Sequence, residues 1–328
     1  MEEHDGAELC FPQLFNDSCR KPKITHFETV LMNLLFFISL FTVFLNLLVI
    51  ISLHTPTNLL LLSLAVSDFL TGLDSMLEAQ RITTCWFLGD LICSLHGFFI
   101  SIVFSASIGE MVLISIDRYV AICDPLHYPT RVTVRRVKMC VCIWWLFSVV
   151  YSGVLYRHNL EQPGTFKMCY GQCYIFMDIA DGIVDIFLSF IAPVAVIIIL
   201  YLRVFVTAVS QARAMRSNVA AITLQHSGTV MTKKSELKAA RTLGVVVLVF
   251  LLCFCPCYSL AIIETVVALQ GRENFNSLPG TVGTFLICIN PCLNPVIYAL
   301  FYPWFRKAIR LIFSLQILQP GSRETNML

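Results

Sequence analysis

The sequence predicts an all-α membrane protein, a seven-transmembrane helix bundle, on two observations. Of the 328 residues, 57% are hydrophobic and only 13% are charged, whereas roughly 25% are charged in ordinary globular proteins. Seven apolar stretches are also long enough to cross a bilayer as helices, which takes about 20 residues each. These stretches, called spans one to seven below, cover residues 27–53, 57–78, 91–121, 137–156, 175–206, 239–267 and 279–302.

The spans divide the chain into a tail at 1–26, a membrane domain at 27–302 and a C-terminal segment at 303–328. The tail lacks the basic start and apolar core of a cleavable signal, so span one is expected to act as an uncleaved signal anchor. The only long break between spans, at about 207–238, is polar. The basic amphipathic run Arg306–Phe313 predicts a short helix on the inner membrane surface.

Basic residues orient the chain in the membrane. Seven of the 23 Lys and Arg fall on the side of the N-terminus, and the other sixteen fall on the opposite side. The positive-inside rule therefore predicts an extracellular N-terminus and a cytoplasmic C-terminus in a multi-pass plasma-membrane protein. The tail carries the sequon Asn16-Asp17-Ser18, so Asn16 is a predicted glycosylation site. Six cysteines lie on the same oxidising side, where disulfides persist: Cys10, Cys19, Cys85, Cys93, Cys169 and Cys173.

Asp185 is a carboxylate inside the apolar run of span five. An acid at this depth faces the bundle interior or a cavity and marks a functional site, whose natural ligand is a cation. Asp178, Asp181 and Asp185 share one helical face, which allows several ammonium groups of a polyamine. Two alternatives are a monoamine ligand with solvated outer acids, and a structural Asp185 paired with a hydroxyl or backbone group. Asp74 and Glu78, four apart near the outer end of span two, add negative charge to the mouth.

The sequence also excludes several classes of function. It shows no metal-spaced His/Cys set, no phosphate loop and no nucleophile with a base, so neither an enzyme nor a cofactor is expected. Basic residues form no dense tract with interleaved aromatics, which argues against nucleic acid. A transporter would require broken-helix repeats or a continuous polar path, and the acids instead cluster in the outer half.

Two motifs indicate a family. Span three ends in Asp117-Arg118-Tyr119, and span seven contains Asn294-Pro295-Val296-Ile297-Tyr298. At the cytoplasmic ends of spans three and seven, this pair resembles the rhodopsin-like G-protein-coupled receptors. The stretch 290–305 is similar to that of the trace amine-associated receptors, with Pro291 in place of a serine. The resemblance covers about residues 27–314. It implies an amine ligand, a Gs-type heterotrimeric G protein as partner, a lipid surround and expression in olfactory neurons.

The resemblance further implies an activation switch. In such receptors Arg118 would pair with Asp117 and Glu236 until span six swings outward about Pro256. Tyr201 and Tyr298 would fill the opened space, and three core residues would repack, namely Ile108, Phe250 and Pro193.

Disulfides and an ion site are implied in the same way. The bridges would be Cys93–Cys173 and Cys19–Cys169, with Cys10 as an open competitor of Cys19. A sodium ion would be held by Asp68, Ser107, Asn290 and Asn294, although Pro291 removes one usual ligand. Glu110, low in span three, would pair with polar groups of spans four or five or face lipid in protonated form.

The position of the ligand follows from two counts. Aminergic receptors anchor the amine on an aspartate eighteen residues before the Arg of the Asp-Arg-Tyr triplet, and that position here is Ile100. Eight residues before Pro193 stands Asp185, where some fish trace amine receptors place the acid. The resemblance adds Phe254, Tyr258 and Cys288 to the ligand pocket. The missing acid at Ile100 leaves open a receptor of the same fold for a non-amine ligand.

Overall fold

A computed structural model of the chain describes residues 8–14, 17–52, 59–165, 169–219, 227–269, 277–301, 305–307, 309–310 and 314. Seven helices are long and apolar enough to cross a membrane: His26–Ser52, Leu59–Thr83, Asp90–Cys123, Val134–Leu155, Ile179–Thr207, Gly244–Val267 and Gly280–Phe301. Each agrees with its predicted span within five residues at either end. They keep the names span one to span seven.

Several helices differ from the predicted pattern. Span five starts as the α-helix Ile179–Ile186, passes through a π-helical turn at Phe187–Ile191 and continues as Ala192–Val219. Spans six and seven lie within the longer helices Ser227–Leu269 and Ser277–Phe301, and two short helices, Tyr128–Arg131 and Arg157–Glu161, lie between spans. The polar break at 207–238 is therefore helical at both described ends, 207–219 and 227–238. Its Ala, Arg, Lys, Glu and Met residues are good helix formers.

The outer faces of the bundle are apolar. Large side chains such as Phe41, Leu146 and Phe205 are 62%, 65% and 66% exposed. Such a surface is expected where helices contact lipid. Polar side chains are costly in hydrocarbon, and the backbone polar groups are already bonded within each helix. Residues 306–307 and 309–310 of the predicted amphipathic helix are helical, and so is Phe305 just before it. Phe305 is buried against Tyr298, with ring centroids 6.3 Å apart.

Span three lies in the middle of the bundle and contacts spans two, four, five and six. Its contact with span four depends on Gly109. A Cβ atom at this position would stand 1.5 Å from Nε1 of Trp144. The absence of a side chain thus lets the indole enter the interface, where Trp144 Nε1 donates to the Ser105 carbonyl at 3.0 Å.

Glu110 is fully buried, with no exposed surface, and its partners differ from the predicted ones. The carboxylate accepts hydrogen bonds from Ser63 and from Ser67, the latter at 2.8 Å. Both serines belong to span two, whereas spans four and five were expected to supply the partners. Span four takes part indirectly, since Trp145 Nε1 donates to Ser63 Oγ at 2.9 Å. The acid therefore links spans two and three and does not face lipid.

Candidate functional site

Three disulfides fix the extracellular surface above the bundle. Cys93, at the start of span three, is bonded to Cys173 in the loop between spans four and five. Cys19 joins the tail to Cys169 of the same loop. A third bridge, Cys10–Cys85, ties the tail to the loop between spans two and three. All six extracellular cysteines are therefore paired, and Cys10 does not compete for Cys169 as the sequence had allowed.

Backbone hydrogen bonds join the same segments into one lid. Cys19 N–H donates to the Tyr170 carbonyl at 2.7 Å, and Trp86 N–H donates to the Gly171 carbonyl at 2.8 Å. Gly171 has a φ of 106°, which favours glycine. A Cβ atom there would also stand 2.6 Å from Cβ of Cys10. The tail and both loops thus meet at a point that requires glycine.

Beneath this lid lies a cavity of about 220 Å³, called the outer cavity below. Its apolar wall includes Ile100, Phe104 and Ile287, and Cys288 also lines it. Ile100 and Cys288, both predicted for the ligand pocket, are thus brought together. Asp185, Asp181, Phe254 and Tyr258 do not belong to the lining of this cavity.

The outer cavity also has a charged wall formed by spans two and three. Arg81 donates twice to Glu78, from Nε at 2.8 Å and from Nη2 at 2.5 Å. His96 Nε2 lies 3.0 Å from Asp74 Oδ1 and 4.0 Å from Glu78 Oε2. The side chains of His96 and Asp74 are each 3% exposed. Two acids, one permanent cation and one titratable ring therefore meet in a nearly dry site.

Asp185 lies between spans four and five and is half-buried. Tyr151 donates its phenol hydrogen to Asp185 Oδ1 at 2.7 Å, and Ser189 Oγ donates to the same oxygen at 2.8 Å. The other oxygen, Oδ2, accepts no hydrogen bond from the part of the chain that the structure describes. Two donors therefore orient the carboxylate while one of its oxygens stays available.

The acids above Asp185 have different surroundings. Asp181 Oδ2 forms a salt bridge with Arg157 Nη2 at 3.0 Å, and Asp178 is exposed at the N-cap of the helix. Burial, together with the negative charges of Asp185 and Glu78, raises the pKa of the Tyr156 phenol at the end of span four. The salt bridge already neutralises Asp181, so the three acids do not form the series of open carboxylates that their spacing suggested.

An aromatic row leads from this region into the core. Phe190 and Tyr258 stack with ring centroids 4.5 Å apart, and Phe254 stacks on Phe250 at 4.3 Å. Tyr258 and Phe254 are 6.4 Å apart, and Phe104 of the outer cavity meets Phe254 edge-on at 6.4 Å. Phe254 therefore stands below the cavity and connects it to Phe250, which is 1% exposed.

The residues predicted for sodium are all buried in the middle of the bundle. Asn294 Nδ2 donates to Asp68 Oδ2 at 2.9 Å. Asp68 Oδ1, Asn294 Oδ1 and Asn290 Nδ2 have no hydrogen-bond partner among the described residues. Two unsatisfied oxygens, one from the buried Asp68 carboxylate and one from the Asn294 amide, suit a hard cation. The donor set thus fits sodium; Ser107 is also buried, and Pro291 offers no hydroxyl.

At the cytoplasmic end, Arg118 is paired with Asp117, and its Nε donates to Asp117 Oδ2 at 2.8 Å. Tyr128 of the following loop donates to Asp117 Oδ1 at 2.9 Å. Burial and the charge of Asp117 raise the pKa of Tyr128 to about 12, so the phenol remains a donor at physiological pH. Asn16 and the side chain of Glu236 lie outside the described residues, and their roles stay predictions.

The remaining residues of the predicted activation switch lie in the buried core, within the helices or near their cytoplasmic ends. Ile108, Phe250 and Tyr298 are 2%, 1% and 1% exposed. Pro256 lies inside the helix of span six and Pro295 inside that of span seven. Pro193 falls just after the π-helical turn of span five, and Tyr201 and Tyr119 are half-buried nearer the cytoplasmic ends.

Several residues of the site were not predicted from the sequence. Ser189 and Arg81 follow Asp185 and Glu78 by four and three residues, so helical spacing alone could have paired them. His96, Tyr151 and Tyr156 come from other spans than the acids they face. Their spacing in the chain says nothing about that contact.

Comparison with known proteins gives a consistent result. Residues 41–298 match the family described as "7 transmembrane receptor (rhodopsin family)". Trace amine-associated receptor 13c of Danio rerio is 35% identical, over 99% of this chain and 98% of that receptor. Trace amine-associated receptor 9 of Homo sapiens is 34% identical, over 100% and 97%, and its Mus musculus counterpart is 36% identical, over 83% and 79%.

Proposed function

Because the chain belongs to the rhodopsin family of seven-transmembrane receptors, and within it to the trace amine-associated receptors, we propose that it senses an extracellular amine and activates a Gs-type G protein. The family is one of multi-pass plasma-membrane receptors and not of enzymes. The names of the relatives support an amine as ligand. Expression in olfactory neurons is part of the same proposal.

The ammonium group of the ligand binds Asp185 in this proposal. The observation that carries it is the carboxylate with Oδ1 held by Tyr151 and Ser189 and with Oδ2 open. A charge-assisted N–H···O bond to such an oxygen is about twice as strong as a neutral one. Because both donors belong to spans four and five, the acid is oriented before the ligand arrives, which lowers the entropic cost of binding.

Binding near Asp185 would reach the core through the aromatic row. Tyr258 stacks on Phe190 of span five and lies next to Phe254, which stacks on Phe250. A shift of these rings would repack Phe250 against Ile108 and Pro193 and swing span six about Pro256. The outward swing would release Arg118 from its acidic partners and open the cytoplasmic face to the G protein. The sequence of events rests on the family resemblance, and the ring contacts support it.

A sodium ion would stabilise the inactive bundle by neutralising the buried Asp68. Asp68 Oδ1 and Asn294 Oδ1 would hold it, with Ser107 and Asn290 completing the set. Spans two, three and seven supply these groups, so their rearrangement would release the ion.

A cyclic-AMP reporter in cells that express the receptor tests the proposal with a panel of amines. We expect Asp185→Asn to lower amine potency roughly thirtyfold or more, because truncating one partner of a buried charge pair costs about 2–5 kcal/mol. Tyr151→Phe should lower it less, since the acid keeps its charge and Ser189. The matched control is Glu161→Gln, which removes an exposed acid of the same extracellular side.

Two results would contradict the proposal. Silence of the wild type towards every amine would remove the amine as ligand. A response that survives Asp185→Asn at full potency would remove Asp185 as the anchor, while the receptor assignment stands. Surface expression of each variant is measured in parallel, so that loss of protein is not read as loss of binding.

A further inference from the structure

The outer cavity contains a buried carboxylate, Asp74, that has no part in the proposed binding of an ammonium group at Asp185. Asp74 is 4% exposed and lines the cavity on span two, together with the apolar Ile100 and Ile287. A carboxylate this deeply buried is costly unless a cation or several donors stand beside it. The identity of that cation decides what the cavity can bind.

The charges of the wall divide into two pairs. Glu78 receives two hydrogen bonds from Arg81, whose guanidinium is permanently charged. The neighbour of Asp74 is His96, with Nε2 at 3.0 Å from Asp74 Oδ1. Histidine changes its charge near physiological pH. The cavity therefore carries a net charge of about −1 when His96 is neutral and about zero when it is protonated.

His96 itself is incompletely bonded. The residue is 6% exposed, and its Nδ1 has no hydrogen-bond partner among the described residues. A buried polar nitrogen without a partner, on a residue that lines a cavity, leaves a hydrogen bond that a bound group can complete. The cavity volume of about 220 Å³ leaves room for such a group, since a water molecule takes about 30 Å³ in the liquid.

We propose that the outer cavity is a second cation subsite, in which Asp74 binds an ammonium group of the ligand and His96 supplies the cation of the ligand-free state. The inference rests on the proposed function, because the other ammonium group of the same ligand binds Asp185. The ligand class is then a flexible α,ω-diamine, with its methylene chain along Ile100 and Phe104. Tyr156 lines the cavity and also lies within the electrostatic reach of Asp185, so it is linked to both subsites.

This arrangement couples ligand binding to proton release. The groups that face His96 are Asp74, Glu78 and Arg81 of span two, Trp86 and Tyr156 at the lid, and Cys257 and Cys288 of spans six and seven. An incoming ammonium takes the place of the imidazolium charge against Asp74. Acidic pH therefore opposes binding at this subsite, and the opposition disappears as His96 becomes neutral. A primary amine stays charged throughout, because its pKa is near that of Lys, about 10.4.

The test compares α,ω-diaminoalkanes of increasing length with 1-aminoalkanes of matching length in the cyclic-AMP reporter. We expect Asp74→Asn to lower the potency of the best diamine about thirtyfold and to leave monoamine potency unchanged. Asp185→Asn should lower both. Glu161→Gln, the control for general loss of negative charge, should lower neither.

The extracellular pH is then varied between about 6 and 8, the range in which histidine commonly titrates. Diamine potency on the wild type should fall by up to about tenfold per unit as the pH decreases, because one proton leaves for each ligand bound. His96→Gln should abolish this dependence, so that its advantage over the wild type in diamine potency is largest at the acidic end. The monoamine response of the same cells corrects for effects of pH on G-protein signalling. If Asp74→Asn does not reach the cell surface, His96→Gln alone tests the second subsite.

The outcomes separate the two proposals. If monoamines act through Asp185 but Asp74→Asn affects diamines no more than monoamines, or His96→Gln keeps the full pH dependence, the second subsite is wrong and the proposed function stands. If no amine acts on the wild type, the proposed function fails and the subsite fails with it.

Discussion

Asp117 receives two donors at the cytoplasmic end of span three. Arg118 Nε bonds to one carboxylate oxygen at 2.8 Å and the Tyr128 phenol to the other at 2.9 Å. In the proposed mechanism activation breaks this arginine pairing, and the tyrosine holds the acid in place for it. Under that proposal a residue outside the Asp-Arg-Tyr triplet contributes to the inactive state.

Tyr128→Phe should accordingly raise signalling in the absence of ligand. A hydrogen bond to a charged group is worth about 1.5–3 kcal/mol, so we expect basal cyclic-AMP production to rise severalfold at equal surface expression. Asp117→Asn should raise it as well. Because Tyr128 acts through Asp117, the double variant should be no more active than Asp117→Asn alone. Additive effects of the two changes would show that Tyr128 acts elsewhere.

Spans three and four approach each other closely, and a glycine on each span lies at their interface. Gly109 leaves the space that Trp144 occupies, while Gly153 on span four faces span three with its nearest atom, Phe98 Cε2, 3.9 Å from a built Cβ. The two glycines share one interface but differ in the space around them. They therefore offer a matched pair of substitutions.

Gly109→Ala should destabilise the receptor, and Gly153→Ala should not. A Cβ at Gly109 would lie 1.5 Å from Trp144 Nε1, so the indole must move and lose its bond to Ser105. Overpacking of this kind costs about 1–3 kcal/mol. Thermal unfolding of the purified receptor in detergent measures the difference. Equal unfolding midpoints of the two variants would mean that the Trp144 contact is not maintained in the membrane protein.

The lid connects distant parts of the chain through three disulfides. Two of them join the tail to the two outer loops, and the third joins span three to the loop between spans four and five. Cys10–Cys85 closes a segment with a sequence separation of 75 residues, and Cys19–Cys169 one of 150. Cross-links over long segments remove conformational freedom from the unfolded chain. The third bridge thus adds a constraint to a lid that the other two already hold.

Removal of that bridge should lower stability without abolishing folding. The double variant Cys10→Ser, Cys85→Ser should lose about 2–4 kcal/mol, seen as a lower unfolding midpoint, while surface expression persists through the two remaining bridges. The control is Cys140→Ser, Cys142→Ser, which changes two free, exposed cysteines of span four. A loss in the control as large as in the first variant would assign the effect to the substitutions and not to the bridge.

Much of this architecture can be predicted from the sequence because the membrane restricts the possible structures. The bilayer fixes helix length, so apolar stretches predict the spans within five residues. The exceptions are informative. The ends of the polar break at 207–238 are helical, since polarity measures exposure and not backbone conformation. Glu110 was expected to pair with spans four or five or to face lipid, yet it accepts hydrogen bonds from serines of span two.

The sequence by itself determined the membrane class, the orientation and the family, and it singled out Asp185 as a candidate cation site, because each depends on composition or on spacing within one segment. Only the tertiary structure decided which groups meet across spans. It gave Asp185 its two donors, paired Asp181 with Arg157 and joined Cys10 to Cys85. It also brought His96 beside Asp74 in a cavity. The physical reason is that contacts between helices depend on rotation and tilt, which apolar packing sets and which no local pattern records.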